Sequence, residues 1–276
     1  MKIAITATPS ASRFAPIVLR GDVPDAFALA SDLGYDGVEL HLRYPSDVDA
    51  GTVKRLMQRY RLGVPTLGTG MAAGEDSLTF ANPDADIRRR AVERISQHIA
   101  LAGQIDSAVT IGLIWGRVGN DPAQRSERMA LAKDCLAQCC RLAEREGVTL
   151  LLEALNRYES DYPLTLEQVV AIITDMDAAN VRVLADTYHM NIEEVDMAAS
   201  LRRVAAHLGH IHLVDSNRQA PGHGHCDLHG LVQTLGEIGY TGYLSFEVLA
   251  LPSSLQAAKD GITTVRSYAV PGVQHG

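Results

Sequence analysis

The sequence predicts an α/β fold, a single (β/α)8 barrel spanning residues 1–276. Eight β-rich apolar runs alternate strictly with eight helical segments, and such alternation implies a parallel sheet. Eight units imply that the sheet closes on itself. The length, 276 residues, suits one such barrel, which commonly takes about 250 residues. No linker or low-complexity stretch interrupts the series.

Taken in order, Lys2–Thr8 is the first strand, stopped at Pro9. A loop over Ser10–Gly21 leads to a helix, Pro24–Leu33, closed by Gly34, a residue suited to the left-handed end of a helix. Gly37–Arg43 is the second strand and Val48–Leu62 a basic amphipathic helix stopped by Gly63. Val64–Gly70 is the third strand, with a Gly-rich loop through Gly74. Asp84–Ala102 is a long helix between Pro83 and Gly103, and Ser107–Trp115 is the fourth strand. The second half repeats the rhythm. Helix Pro122–Glu146 precedes strand Val148–Leu155. Helix Thr165–Met176 opens on a Thr165/Gln168 capping box and precedes strand Val181–Thr187. Helix Val195–Leu208 precedes strand Gly209–Asp215, and helix Asp227–Ile238 precedes strand Gly242–Leu249. Ser253–Tyr268 is the last helix.

Composition narrows the class. The chain is 46% hydrophobic and 21% charged, enough apolar content to bury a large core without disulfides. A net charge of −8 argues against a nucleic-acid partner, because phosphate binding needs clustered Lys and Arg. Cys135, Cys139, Cys140 and Cys226 make no C-x-x-C pair. They read as reduced thiols in a cytoplasmic protein. MKIAITATPS enters a strand directly, and no apolar run reaches membrane-spanning length.

The chemistry gathers at strand ends. Glu153 closes LLLE, Asp186 closes VLAD, His212 lies in HIHLVDS and Glu247 in YLSFEVL. A carboxylate after an apolar run is costly to bury without a compensating charge. The four are 33, 26 and 35 residues apart, about one β/α unit each. Active sites of such barrels lie at the C-terminal ends of the strands. Any one residue alone would fit an ion pair; four in register form a metal site. Three carboxylates and one imidazole favour Mn²⁺, Mg²⁺ or Co²⁺ over a sulfur-rich zinc site. The following loops offer Glu159, His189 and Arg218, which suit a polyhydroxylated substrate with a carbonyl. Singly, Glu159 and Arg218 also fit a surface salt bridge.

The segments EALNRYESD, LADTYHMNIEE, HLVDSNRQAPGHGH and SFEVL resemble the signatures of the D-tagatose/D-psicose 3-epimerase family, within the xylose-isomerase-like TIM barrels. GTG at Gly68–Gly70, SLTF before Asn82-Pro83, and IGLIWGR resemble its 5-keto-L-gluconate epimerase branch. The resemblance implies that Glu153, Asp186, His212 and Glu247 bind one divalent metal, Mn²⁺ first and Co²⁺ or Mg²⁺ compatible. It also implies that Glu153 and Glu247 are the catalytic acid/base pair. Glu159, His189 and Arg218 would hold a sugar or keto sugar acid near its first carbons, in a dimer or tetramer. The expected activity is 3-epimerisation through an enediolate, which needs one base on each face of the reacting carbon.

Three other readings compete. An aldose–ketose isomerase of the hydroxypyruvate or pentose type needs one base on one face. An apurinic-site endonuclease of the same barrel needs extra histidines, and Val64–Met71 and Ser107–Trp115 contain none. A non-catalytic sugar-binding barrel would not need both glutamates. Other features read as scaffold. His223, His225, Cys226 and His229 lack a standard zinc spacing and read as a loop near the site. Trp115 fits either a sugar-facing wall or the core. His41 and Arg43 fit either the pocket or its rim. His98 reads as an exposed helix residue, and His210 as packing beneath the metal.

Overall fold

A computed structural model of the chain describes residues 1–10 and 16–268. Part of the expected Ser10–Gly21 loop and the last eight residues of the expected domain lie outside the described residues. The described elements are β1 (Lys2–Thr8), β2 (Leu19–Arg20), α1 (Val23–Leu33), β3 (Gly37–His41), α2 (Ala50–Tyr60), β4 (Thr66–Gly68), α3 (Gly70–Gly74) and α4 (Ala85–Ile105). They continue with β5 (Ala108–Ile111), α5 (Pro122–Glu146), β6 (Leu150–Glu153), α6 (Leu166–Asp175), β7 (Val181–Asp186) and α7 (Thr187–Glu193). The chain then runs through α8 (Met197–Val204), β8 (Leu208–His212), α9 (Leu228–Glu237), β9 (Tyr243–Phe246) and α10 (Ser254–Ser267).

All pairings are parallel. The order is β2-β1-β3-β4-β5-β6-β7-β8-β9, and β1 also pairs with β9. Eight strands therefore close the barrel that the alternation predicts, and β2 is a two-residue appendage outside it. β1 is buried along its length after Lys2, and β3 throughout, as expected of strands covered on both faces.

The elements differ from expectation where local chemistry decides. α4 runs through Gly103 to Ile105. A Cβ on Gly103 would stand 3.1 Å from the Glu146 carbonyl oxygen, so this glycine serves the close packing of α4 on α5. The fourth strand ends at Ile111, and Leu113–Trp115 form a 3-10 turn. Thr165 Oγ1 accepts from the Gln168 N–H, but Gln168 Oε1 accepts from Leu164 N–H, one residue before the expected cap partner. Trp115 is core. His98 is fully buried, with ring nitrogens 2.9 Å from the Arg94 carbonyl oxygen and 3.2 Å from that of Leu42.

Candidate active site and metal centre

Four consecutive strands deliver the four carboxylate and imidazole groups. Glu153 ends β6, Asp186 ends β7, His212 ends β8, and Glu247 follows β9. Asp186 and His212 are direct register partners, after a shift in the β7–β8 ladder at Val183/Leu184. One donor atom from each of the four residues lies within 4.8 Å of the others. That is the spread expected of atoms about 2.0–2.4 Å from a shared cation. His212 Nδ1 is 3.8 Å from Glu153 Oε1, 3.7 Å from Asp186 Oδ2 and 3.6 Å from Glu247 Oε2.

The donor set fits a divalent cation on a structural ground. Asp186 Oδ2 and His212 Nδ1 are buried and have no hydrogen-bond partner. Buried polar atoms are ordinarily paired, so these two facing orphans mark a place for a charge.

Beneath them sits a residue the sequence reading did not single out. Glu39 on β3 is fully buried. Its Oε1 lies 3.0 Å from His212 Nε2 and 2.9 Å from His41 Nε2, and its Oε2 lies 2.9 Å from His210 Nε2. A carboxylate on Nε2 leaves His212 Nδ1 turned toward the other three donors, the usual outer support of a ligating histidine. Burial drives the Glu39 pKa up, but the charge of His212 and bonds from three imidazoles outweigh it, so Glu39 stays ionised well below the usual carboxylate range. His210 does pack beneath the site, through Glu39.

The substrate-side residues converge above. Asn156 follows β6 and donates its backbone N–H (3.3 Å) to His189 Nδ1, with its side-chain nitrogen 2.7 Å from the same atom. Burial lowers the His189 pKa to about 4, so the ring is neutral and carries its proton on Nε2. That buried Nε2 has no partner, and lies 3.9 Å from Glu153 Oε1 and 3.8 Å from Asp186 Oδ2. It is a hydrogen-bond donor aimed into the site. Arg218 donates to Glu247 Oε2 at 2.8 Å and to Glu159 Oε1 at 3.1 Å, and lies over the Tyr188 ring. Its backbone is held in the left-handed region at φ 58° by a turn in which its N–H donates to the Asp215 carbonyl. A non-glycine residue held there carries strain of the kind found at functional sites.

These groups face a cavity of about 190 Å³ lined by His41, Glu153, Glu159, His189, Arg218 and Glu247, with further residues from β4 and β5. His41 thus reaches the pocket, with Nδ1 3.8 Å from Glu247 Oε1. Arg43 instead pairs with Asp76. The loop histidines diverge: His223 pairs with Asp260, His225 with Ser216, and His229 with Gln233.

The sequence matches the family model described as "Xylose isomerase-like TIM barrel" over residues 27–268. The chain belongs to this family. Among its relatives, an L-ribulose 3-epimerase of Mesorhizobium japonicum is 29% identical over 229 residues, 83% of this chain and 76% of that protein. A 3-dehydro-D-guloside 4-epimerase of Escherichia coli K12 is 30% identical over 260 residues, 89% of this chain and 95% of that protein. A solved L-ribulose 3-epimerase superposes with a TM-score of 0.82 at 27% identity, over 96% of this chain and 93% of that one. This xylose isomerase-like barrel is thereby an enzyme of the isomerase class, grouped with the D-tagatose/D-psicose 3-epimerase-like members. Among its described residues no helix is long and apolar enough to cross a membrane.

Two expected results follow from the geometry of this family member. Burial, with Glu247 and Asp186 as like charges, pushes the Glu153 pKa well up. Burial opposes protonation of His212, but Glu39, Glu247 and Asp186 outweigh it and raise its pKa well above the usual histidine value. Both groups hold protons that a cation must displace. Metal affinity should therefore rise with pH and its binding should release protons. Calorimetry in buffers of different ionisation enthalpy checks this; a heat independent of buffer would contradict it. The second concerns Gly112, where a Cβ would collide with Glu153 Oε2. Gly112→Ala should displace that carboxylate and lower kcat by about 10²-fold, the typical cost of a misplacement near 1 Å, while the melting temperature moves little.

Proposed function

We propose that the protein is a divalent-metal-dependent 3-epimerase of a ketose or keto sugar acid. Glu153, Asp186, His212 and Glu247 would hold the ion; three carboxylates and one imidazole suit Mn²⁺, Co²⁺ or Mg²⁺ alike, and the family resemblance puts Mn²⁺ first. When bound, the cation would draw off negative charge developing on the substrate's keto and neighbouring hydroxyl oxygens. The single observation that carries the reading is the pairing of Glu153 and Glu247 across one small pocket, each beside a different partner.

The chain's own residues do the rest. In the metal-free site burial and two neighbouring carboxylates raise the Glu153 pKa, and a cation on one of its oxygens would oppose that rise. Glu247 is ion-paired with Arg218. Carboxyl groups whose surroundings differ in this way divide acid and base roles. Glu247 takes the proton from the carbon next to the ketone, and Glu153 returns one to the opposite face; the reverse reaction exchanges the roles. His189 Nε2–H and Arg218 donate to substrate oxygens, and Glu159 accepts from a hydroxyl.

A second reading has an observation of its own. The E. coli relative named as a 4-epimerase matches this chain over 95% of its length. That name puts the ketone at C3 and the inverted centre at C4, each one carbon further along than in a 3-epimerase of a 2-ketose. Both readings are tested by assaying metal-stripped enzyme, with Mn²⁺, Co²⁺ or Mg²⁺ restored, on ketoses, keto sugar acids and 3-keto-glycosides. A 3-epimer from the first two supports the proposal; turnover of 3-keto-glycosides alone supports the second reading. Full activity without any metal would overturn the metal assignment.

A further inference from the structure

Beside the reactive pocket, of about 190 Å³, lies a second chamber of about 560 Å³. The two share Gly74, Leu113, Leu155 and Glu159 as a common wall. A substrate longer than a simple sugar, seated among Glu153, His189 and Glu247, would reach this outer space past the shared wall. Ordinary small-molecule sites run from about 300 Å³ upward. The inner pocket alone is below that range, and the two together lie within it.

The outer chamber differs from the inner one in charge. The inner pocket is crowded with carboxylates. The outer one carries Arg117 from the turn after β5 and Arg128 from α5, and its only carboxylate among the described residues, Glu159, is already bonded to Arg218. Arg117, an exposed residue, donates from Nη2 to the Tyr158 carbonyl oxygen at 2.9 Å and meets no acid among the described residues. Arg128 is half-buried, and none of the described residues forms a hydrogen bond or ion pair with it. A half-buried guanidinium is seldom left without an acceptor, since its five donors suit a carboxylate or phosphate. Two arginines thus line the outer chamber beside the substrate pocket with no acidic partner among the described residues.

We infer that the outer chamber is a subsite for an anionic arm of the substrate, a carboxylate or phosphate bound by Arg117 and Arg128. The physiological substrate is then a keto sugar bearing such a group on the part that leaves the inner pocket, and not a bare neutral ketose. This rests on the keto-sugar reading of the inner site and narrows its substrate class.

The test is direct binding to the Mn²⁺-loaded enzyme by calorimetry, with D-fructose, its 1- and 6-phosphates and a keto-hexonate as probes. At least one anionic probe should bind about tenfold or more tightly than D-fructose, as hydrogen bonds to charged groups allow. The tighter of the phosphate and carboxylate arms identifies the group. In the Arg117→Ala/Arg128→Ala variant that preference should collapse to about one, and Arg128→Lys should retain part of it. Equal affinity for charged and neutral probes, or a preference that survives in the double variant, overturns the subsite. Failure of the epimerase reading looks different: the anionic preference and its loss in the variant would persist while no probe was epimerised.

Discussion

Replacing either Glu153 or Glu247 with Gln should lower kcat by about 10²–10⁴-fold, the usual contribution of a general acid or base. Each glutamate is asked to serve one face of the reacting carbon, so the second cannot stand in for the first. The two effects should be far from additive, because the double variant removes a pair that acts as a unit. Gln keeps the shape and one ligating oxygen, so circular dichroism and the melting temperature should stay near those of the parent. Glu153 already holds a proton among like charges in the metal-free protein, so a neutral amide in its place should disturb the fold little. A variant at either position that kept more than about a tenth of the parent kcat would contradict the paired-glutamate mechanism, given the size expected of a true acid or base.

Glu39→Gln should weaken metal binding by about 10–100-fold, the range typical of lost outer-shell support. Glu39 touches three imidazoles and none of the space above His212. Its effect therefore passes through the orientation of His212 and the charge beneath it. A Gln at this position offers one acceptor where the carboxylate offers two, so one of the three rings loses its partner. Buried groups left unpaired are costly, and the variant should also melt earlier. The affinity of the purified protein for Mn²⁺, followed by calorimetry, separates the two effects. High Mn²⁺ should restore most of kcat if Glu39 acts only on the ligand. An unchanged affinity together with a lower melting temperature would make Glu39 purely structural.

The barrel and the four converging residues were legible because each signal was local. An apolar run ending in a carboxylate or histidine recurs at one-unit spacing, and closure of eight units brings those ends together. Glu39 was not read because it lies inside GVELHLR, where a charged residue in mid-strand resembles an ordinary alternation. The signal was present in the spacing: Glu39 and His41, like His210 and His212, are two residues apart and so share one strand face. His98 was misplaced for a similar reason. It stands on the helical stripe of Ala91, Ile95 and Ala102, all buried, and that stripe outweighs the polarity of a single imidazole. α7 follows β7 directly, capped by Asp186 itself through its bond from Tyr188 N–H. A candidate metal ligand that doubles as a helix cap hides the helix from a reading that assigns it only one role. The role of Asn156 in fixing the His189 tautomer depends on a contact 33 residues distant, which no local pattern encodes.

In the proposed reaction two carboxyl groups on opposite faces exchange a proton at the carbon beside a ketone. The direct measurement is NMR of a ketose turned over in D₂O by the Mn²⁺-loaded enzyme. Solvent deuterium should appear at C3 of the epimerised product, with none at C1. Deuterium at C1 with an aldose accumulating would identify an aldose–ketose isomerase and contradict the proposed reaction.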